Sequence, residues 1–179
     1  MSVIRSFLIV NVIGGVAVLG GYAGFLSVFP EQRDSLWGGI EGGWQSVFVI
    51  SMFGAAAGYL IFTYCVLFRS APIGFSSRLI KSKQSVSTLS SVFLGAAAVW
   101  MPATITYLDT GSLVWWIIAV ASLWITALAL VAMTAIVVLS PSAIPSPFAR
   151  IMAIVGISYI TFHCLVFDAI VWVSLFNHA

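Results

Sequence analysis

The residues best suited to chemistry gather near the C-terminus, in the stretch PFARIMAIVGISYITFHCLVFDAIVWVSLF from Pro147 to Phe176. It is apolar enough to cross a bilayer, yet it carries Ser158, Tyr159, Thr161, His163, Cys164 and Asp168. Asp168 is the one acid of the chain set well inside an apolar run. On an α-helix, steps of three and four residues lead from Ser158 to Thr161, Cys164 and Asp168. At about 100° per residue these four fall within roughly 120° of the circumference, with Ser158 at the edge. Such a stripe is costly against lipid, so it should face sister helices or a water-filled cavity. There it would serve a ligand, a proton or a cation.

Depth tempers that reading. Asp168 follows Arg150 by about 18 residues, roughly 27 Å along the axis, which puts it near an interface rather than at mid-membrane. A carboxylate there can also be a wet anchor, or bond to Thr104, Thr106 or Tyr107 on a neighbouring helix; Arg33 is the one base expected nearby. His163 lies five residues before Asp168, about 140° away on α-helical geometry, so the two are expected on different faces, with Tyr159 on the histidine's side. It has no second histidine for haem or metal, since His178 is terminal. That leaves a hydrogen-bonded core residue or a relay. Trp100 and Trp124 fall nearer mid-depth and pack there, or wall an apolar ligand pocket. No Ser/His/Asp, Cys/His or paired-carboxylate spacing places a catalytic centre, and no cofactor or metal is indicated.

Composition fixes what must hold these residues. The chain has 179 residues, 61% hydrophobic and 7% charged, with mean hydropathy +1.14. Soluble domains carry about 25% charged residues, so lipid must cover most of this surface. The net charge of +2 is too small to argue for nucleic acid. The two cysteines, Cys65 and Cys164, fall at different depths and are expected to be free.

Five spans follow: 6–29, 44–68, 85–108, 112–139 and 147–176. The first is longer than a signal-peptide core and reads as a retained helix. Its Gly20 and Gly24 form a GxxxG pair for intramolecular packing or for a dimer. Ser51, Gly54, Gly58 and Cys65 give the second helix a small face directed inward. Gly95 sits in FLGAAA, a run resembling FGAAA of the second helix; both suit close packing. Pro102 should kink the third helix or end it early. A tight turn at Asp109–Gly111 makes the third and fourth helices antiparallel neighbours. Ser146 followed by Pro147 is a good start for the fifth.

Arg5, Arg69, Arg78, Lys81, Lys83 and Arg150 all fall on one side of this arrangement and Arg33 alone on the other. That predicts an all-α, five-helix transmembrane bundle with a cytoplasmic N-terminus and the C-terminus outside. Glu31, Asp34, Glu41 and Asp109 land on the outer side, as do Trp37, Trp44, Trp115, Trp116 and Trp172. A plasma or bacterial inner membrane fits the charge rule best, with organelle membranes as the alternative. The bilayer is then the chief partner, with a homo-oligomer or a larger membrane complex as further options. The first functional reading is a binding or accessory protein without catalysis, for an apolar ligand or partner helices. The second is a proton or cation conduit along the stripe of the fifth helix, and the third a lipid-modifying enzyme using His163 and Asp168.

Overall fold

A computed structural model of the chain describes residues 3–71, 75 and 84–177. Arg78, Lys81, Lys83 and His178 lie outside the described residues. Five helices are long and apolar enough to cross a membrane. We label them α1 (Val3–Val28), α2 (Gly43–Arg69), α3 (Ser85–Thr110), α4 (Leu113–Leu139) and α5 (Pro147–Leu175). Among the described residues there are no strands.

Local chemistry explains the helix ends. Ser146 caps α5, its side chain accepting from the Ala149 amide, and Pro147 occupies the first turn, where a missing N–H costs nothing. Gly111, at φ +64°, closes α3 in a left-handed turn and sends the chain straight into α4. Pro102 does not end α3, which continues to Thr110. The Thr106 hydroxyl bonds back to the Pro102 carbonyl. The amide that Pro102 lacks would have bonded the Ala98 carbonyl, and packing against neighbouring helices lets such a proline persist in a spanning helix.

The helices pack in the order α1, α3, α4, α5, α2, with α4 the most buried and α1 the least. α1 and α2 touch little, through the edge-to-face pair Phe7–Phe62 and the 2.6 Å bond from Tyr59 to Asn11. The two ends of the bundle differ in charge. One end holds Arg5, Arg69 and Arg150; the other holds Glu31, Arg33, Asp34, Glu41 and Asp109. We call them the basic and acidic ends. The α1–α2 loop folds over the acidic end. Its Leu36 is buried among Met101, Ile105 and their neighbours, and Gln32 bonds to Asp109 at 3.0 Å. Trp172 of α5 donates to the Leu36 carbonyl at 2.9 Å.

α2 and α5 meet backbone to backbone. A Cβ on Gly58 would lie 2.7 Å from the Gly156 carbonyl oxygen, and one on Gly156 would collide with the Gly58 carbonyl. Next to it, a Cβ on Gly54 would lie 2.7 Å from the Tyr159 ring. Gly14 seats Leu94 of α3 in the same way. Gly20, Gly24 and Gly95 meet nothing within 4 Å. The intramolecular packing expected of them is therefore absent: α1 leans on α3 through Gly14 and leaves the GxxxG pair in the open.

Candidate functional site

α5 is not one uniform α-helix. From Pro147 to Phe162 it is α-helical; from His163 to Trp172 it winds as a π-helix; Val173–Leu175 return to α geometry. In the π form the backbone bonds run from i to i+5, so residues five apart lie over one another. His163 and Asp168 are five apart. Nε2 of His163 lies 3.5 Å from Oδ1 of Asp168. The expectation that they occupy different faces is thus corrected, because it assumed α-helical winding throughout. At 3.5 Å the contact is electrostatic, at the long limit of a hydrogen bond.

The other ring nitrogen of His163, Nδ1, lies 2.8 Å from Oγ of Ser51 on α2, with both residues buried. If Nε2 carries the proton and points it at the carboxylate, Nδ1 accepts from the serine hydroxyl. Nδ1 of the buried ring is then hydrogen-bonded, and Nε2 has the carboxylate as its nearest charged neighbour. The Cys164 thiol lies beside the Asp168 carboxylate. The result is a chain from Ser51 through His163 to Asp168, joined there by Cys164. Phe167 stacks on the His163 ring with centroids 5.5 Å apart and meets Phe48 of α2 edge to face.

Asp168 is the accessible end, with 31% of its side chain exposed against 5% for His163. Across from it, Tyr22 of α1 lies within electrostatic reach of both Asp168 and Cys164. Tyr22 packs on Trp100 at 5.8 Å, and Trp100 meets Trp172 edge to face at 5.5 Å. The Trp100 indole nitrogen is buried and has no hydrogen-bond partner among the described residues. Trp116 and Phe176 extend the aromatic cluster toward the acidic end.

The remaining expected site residues scatter. Thr161 turns to α4, where it meets Thr134 at 2.8 Å while returning a bond to the Ile157 carbonyl. Ser158 is half-buried, and Tyr159 is exposed over Gly54. The stripe therefore divides, with Thr161 packed against α4 and Cys164 with Asp168 in electrostatic reach of Tyr22. Trp124 is exposed on α4 and does not join Trp100, so the two do not wall a common pocket. Arg33 donates to the Leu26 carbonyl at the end of α1 instead of pairing with Asp168. Thr104 and Thr106 bond to carbonyls of their own helix. Cys65 and Cys164 are free and buried. Among the described residues no group of three or more His, Cys, Asp or Glu could hold a metal.

Two participants escaped the sequence reading. Ser51 was legible only as part of a small face, although it bonds the histidine. Tyr22 gave no signal, since a tyrosine near a helix end is commonplace in membranes. Comparison with family models, with curated protein sequences and with solved structures found no match.

Proposed function

We propose that this protein is a membrane-embedded binding protein, acting without turnover, whose site is the Asp168 carboxylate framed by Tyr22 and the indoles of Trp100 and Trp172. The observation that carries the reading is the π-helical turn that lays His163 under Asp168. It commits a buried histidine and serine to hold one half-exposed carboxylate in place. π turns interrupt α-helices rarely and cluster at functional sites. An apolar molecule bearing a cationic or hydrogen-donating group suits such an acceptor among aromatic faces. It would enter from the side where α1 and α2 make little contact.

Conduction fits less well. The polar chain stops at Ser51, and the next stretch of the seam is the close Gly58–Gly156 approach, with no polar side chain between backbones. Catalysis fits less well too, because the Ser51 hydroxyl is buried and already bonded to His163. In this reading the basic end is cytoplasmic and the acidic end external, following the distribution of arginine and lysine. The open GxxxG face of α1 suits a second copy or a partner helix.

The test combines two measurements on purified full-length protein. Mass spectrometry after gentle solubilisation should find a co-purifying small molecule that is lost from Asp168→Asn while the helical content is unchanged. Proteoliposomes should show no proton or cation flux. A flux in the wild-type protein that Asp168→Asn abolishes would overturn the binding reading in favour of transport.

A further inference from the structure

The α2–α5 seam opens again at the basic end, far from Asp168, into a cavity of about 340 Å³. Arg69, the last residue of α2, and Ser146, the cap of α5, stand at its rim. Tyr64, Phe148 and Met152 line its apolar part, with Phe148 the most exposed of them. Of the five acids in the chain, four lie at the opposite end and Asp168 sits along α5 toward that end. Among the described residues no carboxylate pairs with Arg69. A guanidinium thus stands at the mouth of an apolar crevice, at the end of a spanning helix, with no carboxylate of the described residues paired to it.

We propose that this crevice is a binding site for an anionic phospholipid, with the phosphate on Arg69 and one acyl chain against Tyr64, Phe148 and Met152. The chemistry of the rim selects the headgroup: a guanidinium offers a planar fork that matches phosphate oxygens. The apolar lining selects a lipid over a free anion. The opposite end of the same seam supplies a contrast. There a larger cavity, about 450 Å³, is equally apolar but carries Glu41 and Trp44 at its rim. A carboxylate in that position repels an anionic headgroup, so shape alone does not decide occupancy. The site is separate from the one at Asp168 and does not depend on it.

The test is native mass spectrometry of the full-length protein in detergent, titrated with phosphatidylglycerol or with phosphatidylcholine of the same chains. The wild-type protein should retain phosphatidylglycerol in preference. Arg69→Gln should reduce that retention about fivefold, the scale of one basic residue at an anionic surface. Arg69→Lys should keep most of it, and Arg33→Gln, at the other end, should leave it unchanged. Circular dichroism confirms that each variant is folded. Arg69→Gln retaining the lipid like wild type would overturn the proposal. So would displacement of the lipid by excess inorganic phosphate. A third contrary result would be loss of the preference only when Arg78, Lys81 and Lys83 are neutralised together.

Discussion

The two halves of the α2–α5 seam start alike and end differently. Both run from the contact of Gly58 with Gly156, where the backbones touch. Seven residues from each glycine toward the acidic end, Ser51 faces His163 across a hydrogen bond. Seven residues from each toward the basic end, Cys65 and Ala149 are buried in the wall of the crevice. In the basic half α5 is regular α-helix and its polar groups stay at the rim. In the acidic half a serine, a histidine and a thiol are buried beside a partly exposed carboxylate, and α5 gives up α-helical winding over ten residues there. Burying a polar group without a partner costs far more than exposing one at an interface. The backbone changes form only in the half where a histidine, a thiol and a carboxylate must all be satisfied at once.

The largest effect should come from breaking the contact both halves share. Gly58→Leu forces a side chain into the Gly156 backbone and should cost about 3 kcal/mol. Melting in detergent would read it, and both ends should loosen together. A variant as stable as wild type would mean that the seam is not the hinge of the comparison. His163→Ala comes next. It strips Ser51 of its partner and leaves space beside Phe167, and should cost about 2 kcal/mol. The same measurement on Asp168→Ala should show a smaller loss, since that carboxylate is partly exposed; equal losses would erase the difference between a buried support and a partly exposed acceptor. Tyr59→Phe, which removes the bond to Asn11 on the other side of the bundle, should cost about 0.6 kcal/mol, typical of one interhelical bond in a membrane. Gly24→Leu should be smallest, with no loss of monomer stability, because nothing lies within 4 Å of that position. A loss of association without a loss of folding would locate the partner face on α1.

Much of this was legible in the residues. The five apolar runs, the cap at Ser146 and the turn at Gly111 follow from composition and local chemistry, since water cannot solvate so apolar a surface and only internally bonded helices survive without it. The pairing of His163 with Asp168 was not legible. A single change of winding moves every later side chain around the axis, and no residue type announces a π turn. Ser51 could have been found with one further step. Had Gly58 and Gly156 been recognised as partners, antiparallel register would have carried seven residues outward on each helix to Ser51 and His163. The failure of Gly20 and Gly24 to pack has a related cause: a GxxxG pair shows that a backbone can be approached, not which neighbour approaches it.

The pairing of His163 with Asp168 depends on the winding of α5 beyond Phe162. Solid-state NMR can measure it in lipid, using protein with ¹⁵N-histidine and ¹³C-labelled aspartate carboxyls. A His178→Ala background leaves His163 as the sole histidine. The geometry described here predicts strong dephasing between the His163 ring and an aspartate carboxyl, abolished by Asp168→Asn. Absence of that dephasing in protein that binds, melts and folds as wild type would show that α5 continues as an ordinary α-helix, with histidine and aspartate on separate faces.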